Sequence, residues 1–139
     1  MSESPYYVVL VEDGEADAFL VREAFRQHHL DCRLDVIADG EKAAEFVATL
    51  DRQESHPCPQ LFLLDLNLPK FSGDVVLQQI RKSRRCGQVP VMILTSSRFP
   101  RDEAELMRLG ATSYFQKPSR LDEFLRLGEV VRELLAPAK

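Results

Sequence analysis

Leu61-Phe62-Leu63-Leu64, followed directly by Asp65, is the stretch that decides the architecture. Four apolar residues in unbroken succession lack the alternation of a strand with one wet face, so a strand here is covered on both faces, as in a parallel sheet. Val8-Val9-Leu10-Val11, followed by Glu12 and Asp13, repeats the design near the N-terminus. Working outward, Tyr6 to Val11, Leu61 to Leu64, Val89 to Leu94 and the weaker Ser113 to Gln116 are predicted strands, with Arg33 to Ile37 as a fifth.

Helices must supply both covers. Apolar residues at helical spacing lie between the runs: Leu20, Ala24 and Phe25; Ala43, Phe46, Val47 and Leu50; Leu77 and Ile80; Ala104 and Met107; Leu121, Phe124, Leu125 and Val131. Strand followed by helix, about five times over, requires right-handed crossovers and an α/β doubly wound sheet whose ligand crevice lies beyond the carboxyl ends of the strands. Gly110 is placed as a left-handed C-cap of the fourth helix, and Gly87 with Pro90 punctuates the approach to the fourth strand. Asp51 to Gln60, with Pro57 and Pro59, reads as a long polar loop.

A chain of 139 residues has room for one domain, spanning 1–139, and can bury a core without staples. Its 45% hydrophobic and 29% charged content is that of a globular protein. A net charge of -4 gives no general attraction to phosphate backbones, so no direct nucleic-acid binding is expected. Cys32, Cys58 and Cys86 are odd in number and lack CxxC spacing, which predicts free thiols in a reducing compartment. No basic leader precedes an apolar stretch and no run approaches the ~18 residues of a membrane span, so the cytoplasm is expected and a membrane is not.

The strand ends carry the chemistry. Glu12 and Asp13 follow the first strand, Asp65 the third, Thr95 the fourth and Lys117 the fifth, and the crevice rule makes them converge. Crowded carboxylates repel, so such a cluster calls for a cation. Mg²⁺ suits it, because that ion takes one or two carboxylates and keeps waters for phosphate oxygens. Asp65 could then attack phosphorus, with Lys117 and the Thr95 hydroxyl contacting the transferred group.

VLVED, LLDLNLPKFSG, VMILTSS and SYFQKP, in this order and each closing a strand, resemble the sequence blocks of the response-regulator receiver family of two-component signalling over nearly the whole chain. The resemblance implies a flavodoxin-like five-stranded parallel sheet in the order 2-1-3-4-5 with five helices. It implies Asp65 as phosphoacceptor for a sensor histidine kinase, and Asp13 as a direct Mg²⁺ ligand with Asp65. Glu12 would act through water, and Asn67 through its backbone carbonyl. Thr95 and Lys117 would be phosphate contacts, Thr95 and Tyr114 the switch pair, and Lys117-Pro118 a cis bond. Ser96 and Ser97 are more polar than the small residue usual after the threonine, which bears on acyl-phosphate lifetime.

The chain ends just after the fifth helix, which predicts a stand-alone phosphoprotein, not an enzyme, that passes its signal to another protein. The face of the fourth helix, fifth strand and fifth helix would bind that target or a second copy, with Phe99, Pro100, Leu106 and Leu109 favouring a homodimer. The long loop before the third strand resembles single-domain regulators partnered with bacterial phytochromes. One alternative is an aspartyl-phosphate hydrolase of the haloacid dehalogenase type, against which stands Asn67 where that chemistry uses an Asp. The other is a binding module indifferent to phosphorylation. Asp17 is read as a first-turn helix carboxylate outside the site, Arg81 to Arg85 as a solvated helix end, and His28 and His29 as surface residues.

Overall fold

The computed structural model describes residues 6–96 and 100–135, with Pro100 and Arg101 described by backbone alone. Strands β1 (Tyr6–Val11), β2 (Cys32–Ile37), β3 (Leu61–Asp65), β4 (Val91–Thr95) and β5 (Ser113–Gln116) form one parallel sheet in the order β2-β1-β3-β4-β5. The helices between them are α1 (Glu15–Gln27), α2 (Gly40–Arg52), α3 (Gly73–Lys82) and α4 (Pro100–Arg108). The fifth helical segment is interrupted by a turn, giving α5 (Leu121–Phe124) and α6 (Leu127–Leu135).

The continuous apolar runs resolve into two faces, because successive side chains on a strand point to opposite sides. Val8, Leu10, Leu61, Leu63, Met92 and Leu94 pack with Val21, Ala24 and Phe25 of α1 and with Leu127 and Val131 of α6. Val9, Val11, Phe62, Leu64, Val91 and Ile93 pack on the other side with Val47 and Leu50 of α2, Leu77 and Ile80 of α3, and Leu106 of α4. β4 starts at Val91 and not Val89, since Pro90 has no N–H to give the ladder; its carbonyl accepts from Phe62 N. Gly110 takes the expected left-handed conformation, with φ 113°.

Four expectations are corrected. Ala104 and Met107 of α4 are exposed, while Leu106 is 2% exposed and Leu109 packs on the core, so these two leucines do not offer a free dimer face. A nine-residue helix with few apolar residues leaves its phase open to either reading. Phe99 lies outside the described residues.

The basic run is not simply solvated. Arg81 donates to the carbonyls of Gly110, Gly87 and Val89, and Arg85 to those of Leu50, Gln53, Glu54 and His56. A guanidinium's fork of donors suits it to gathering loop carbonyls that would otherwise lack partners. His28 is half-buried rather than a free surface residue, with Nε2 3.0 Å from the Leu125 carbonyl at the helix interruption.

The cysteines also depart from expectation. Cys58 and Cys86 form a disulfide with a Cα–Cα distance of 5.8 Å, leaving Cys32 as the free thiol. An odd count excludes only complete pairing, and the packing of α2 on α3 brings together two cysteines 28 residues apart. Among the described residues no helix is long and apolar enough to cross a membrane.

Candidate functional site

β1 and β3 are neighbours, yet the chain leaves β1 for β2 at one edge and proceeds from β3 towards β5 at the other. Their carboxyl ends therefore open a crevice not roofed by a crossover, and the side chains just past them point into it. Glu12 and Asp13 follow β1, and Asp65 ends β3. Carboxylate oxygens of these three lie within 4.8 Å of one another. Glu12 and Asp65 are 3% and 6% exposed, whereas Asp13 is exposed, so the cluster is open to solvent on the Asp13 side.

Lys117, just past β5, brings the opposing charge. Its Nζ is 2.8 Å from Glu12 Oε1, 2.7 Å from Asp17 Oδ2 and 3.5 Å from Asp65 Oδ2. The backbone fixes this reach, because Lys117 N donates to the Thr95 carbonyl at 2.7 Å as β5 runs out beside β4. The Lys117–Pro118 peptide is trans, no cis bond occurring among the described residues; a trans X-Pro link is the lower-energy isomer by about 0.5–1 kcal/mol, and the lysine reaches the cluster from it.

Asp17 was not legible as part of this network. It lies in the first turn of α1, where its charge also suits the helix N-terminus, and only the fold brings Lys117 to it from 100 residues away. Gly14, the N-cap of α1, donates its N–H to Glu12 Oε2 at 3.1 Å.

Burial first of all pushes the Glu12 carboxyl up to about 6, with the nearby Asp65 adding and Lys117 opposing. Burial acts to lower the Lys117 ammonium, but its bonds to Asp17 and Glu12 and the charge of Asp65 raise it above the usual lysine range. Lys117 thus faces three carboxylates, and Asp13 adds a fourth to the described cluster, leaving a negative surplus. Hard oxygen donors grouped this closely fit a divalent cation such as Mg²⁺ or Mn²⁺ and offer nothing to softer metals.

Thr95 ends β4 and is fully buried. Tyr114, on β5 beside Ile93, is half-buried against the core side that carries α2, α3 and α4. Asn67 is exposed in the loop after β3, and its N–H donates to Asp65 Oδ1 at 3.3 Å. That loop is held close: a Cβ on Gly73 would lie 2.4 Å from the Asp65 carbonyl oxygen. Glu12, Asp13, Asp65 and Lys117 are therefore brought together, while Thr95 ends the adjoining strand, Asn67 lies in the loop after β3, and Tyr114 sits within β5, back from the crevice. Ser97 lies outside the described residues.

Residues 8–127 match the family described as the response regulator receiver domain. The chain belongs to that family. The receiver is 34% identical over 126 residues to response regulator Rcp1 of Synechocystis sp., covering 91% of this chain and 86% of the relative. The Mn²⁺-bound form of Rcp1 superposes with a TM-score of 0.83 at 32% identity, covering 96% of this receiver and 98% of that chain. The phosphorylated cyanobacterial phytochrome response regulator RcpA matches with a TM-score of 0.85 at 28% identity, over 96% of each chain. The bacteriophytochrome response regulator RtBRR matches with a TM-score of 0.77 at 31% identity, over 96% of this receiver and 80% of that chain. The acidic pocket of this receiver is compatible with a divalent cation and with phosphorylation of an aspartate.

Asp13→Asn removes one exposed carboxylate from the surplus without adding bulk, so stability in metal-free urea unfolding is expected to be equal or slightly higher. The same variant should lose most of its stabilisation by added Mg²⁺ or Mn²⁺. A variant less stable than the parent without metal would show that Asp13 does not carry repulsion.

Proposed function

We propose that this receiver is a single-domain response regulator in which Asp65 accepts a phosphoryl group from a sensor histidine kinase with Mg²⁺ bound at Asp13 and Asp65. Glu12 and the Asn67 carbonyl would add to the hold on the ion, Glu12 through water. The observation that carries this reading is the placement of the Asp65 carboxylate within 4.8 Å of the other two carboxylates and 3.5 Å from Lys117 Nζ. In this reading the nucleophile lies beside both the carboxylates that would hold the ion and the ammonium of Lys117. When bound, the ion supplies charge screening between an anionic nucleophile and an anionic donor.

The chain's own residues do the rest. Lys117 lies within reach of oxygens added at Asp65, and its bond to Asp17 keeps the ammonium from swinging out of the crevice. Thr95 offers a hydroxyl at the next strand end for the same group. Drawing that hydroxyl to the phosphoryl oxygen leaves room above β4 into which Tyr114 shifts, which changes the surface of α4, β5, α5 and α6. The added charge of about -2 drives the population shift. On that surface Met107 and Leu121 are 42% and 57% exposed and are suited to a downstream protein or a second copy. The likeness to RcpA and RtBRR, named as phytochrome and bacteriophytochrome response regulators, supports a kinase of the phytochrome type.

The receiver is a phosphoacceptor and not a turnover enzyme. Asn67 stands where an acid/base aspartate would be needed, and its exposed amide cannot protonate a leaving group. Incubating the protein with acetyl phosphate and Mg²⁺ tests the proposal. The expected result is a gain of one phosphoryl mass on the peptide containing Asp65, lost on omitting the cation. Unmodified protein under these conditions would favour a phosphorylation-independent binding module, and sustained release of phosphate from small esters would favour a hydrolase.

A further inference from the structure

The other end of the sheet has no part in the phosphoryl chemistry. There Cys58, in the loop after α2, is bonded to Cys86, in the turn after α3. The same junction is already tied without the covalent bond. Asp51 accepts from Ser83 Oγ at 2.6 Å and from the N–H groups of Arg84 and Arg85 at 3.0 and 3.1 Å, and Arg85 gathers four carbonyls of the α2 end and loop. Gln60 closes the far side of the loop, exchanging bonds with the backbone of Tyr7. A fold with two complete apolar layers and these contacts does not need the disulfide to form.

The two sulfurs are also unequal. Cys86 is 1% exposed and lies within the apolar cluster, while Cys58 is half-buried at the edge of that cluster, between an exposed Pro57 and a buried Pro59. Thiol exchange requires a thiolate to approach one sulfur along the S–S axis, so unequal access fixes which sulfur is attacked. We propose that Cys58–Cys86 is a thiol-exchange site that reacts at Cys58 with a protein dithiol, opening and closing on a domain that stays folded.

In the opening step one thiolate of the dithiol bonds to the Cys58 sulfur, and the Cys86 sulfur leaves with the electron pair and takes a proton from solvent. The second thiolate of the dithiol then attacks its own partner sulfur, releasing Cys58, which is protonated in turn. Two electrons pass from the dithiol, which becomes a disulfide, to the receiver, which gains two thiols. An oxidised dithiol protein reverses both steps. The proposal stands apart from the phosphoacceptor reading, since neither sulfur belongs to that cluster.

The test uses the full chain, oxidised, with a thioredoxin whose resolving cysteine has been replaced so that the mixed disulfide is trapped. Peptide mass mapping is expected to find the adduct at Cys58 in at least roughly tenfold excess over Cys86. Adduct at Cys86, or no adduct while a reference disulfide protein is captured, overturns the proposal. Cys58→Ser with Cys86→Ser is expected to keep the amide NMR spectrum of a folded receiver; an unfolded double variant makes the bond structural and overturns it as well. So does failure of the reduced protein to lose the Cys58 and Cys86 thiols to alkylation after treatment with oxidised glutathione.

Discussion

Lys117→Met is expected to cost the receiver about 3–5 kcal/mol in urea unfolding at pH 8 without metal, the range for removing one partner of a buried ion pair. The side chains of Lys117, Glu12 and Asp65 are 11%, 2% and 8% exposed, so water screens their charges little. Asp17, at 38%, contributes less. Methionine keeps most of the length and an unbranched apolar stem, so the change is mainly one of charge.

The deficit should depend on pH in a particular direction. In the parent protein burial pushes the Glu12 carboxyl up to about 6 from the ordinary 4.5, so the folded state binds this proton more tightly than the unfolded chain. The contribution is full below about 4.5 and is lost as pH rises through 6, amounting to about 2 kcal/mol. Without the lysine, which holds that carboxyl down, it rises further. A protonated Glu12 needs no counter-charge, so the gap between variant and parent should narrow from pH 8 to pH 5. A gap that stays constant over this range would remove Glu12 from the account, and added Mg²⁺ should recover part of the loss by replacing one cation with another.

Asp65→Asn should abolish labelling by acetyl phosphate altogether. The amide oxygen can still accept the bond from the Asn67 N–H, and the side chain has the same shape, so the fold has no reason to change. What disappears is the nucleophile. An amide does not form the acyl phosphate, and the rate of a reaction whose attacking group is removed falls by orders of magnitude. Loss of one crowded carboxylate should leave stability equal or higher, separating chemistry from folding. Label persisting on the variant, at Asp13 or elsewhere, would move the acceptor and sink the assignment.

Most of the fold was legible because its signals are local. Val8 to Val11 and Leu61 to Leu64 announce strands buried on both faces, and the intervening apolar periodicity announces helices; from these the parallel sheet follows. The clustering of Glu12, Asp13, Asp65 and Lys117 in the candidate site was legible for the same reason: each stands directly after or at the end of a run, and a doubly wound sheet brings such positions to one crevice. Where the local signal was thin it misled, as in α4, whose few apolar residues allowed the wrong face to be turned inward.

By itself, then, the sequence determined the sheet, the order of its elements and the carboxylates at the strand ends, since periodicity and run boundaries are set within a few residues along the chain. Tertiary structure alone decided that Asp17 shares Lys117, that Arg85 holds the loop after α2, and that Cys58 meets Cys86. Each of these depends on groups from separate elements arriving at bonding distance, and such distances follow from how helices pack on the sheet, which no residue's neighbours in sequence encode.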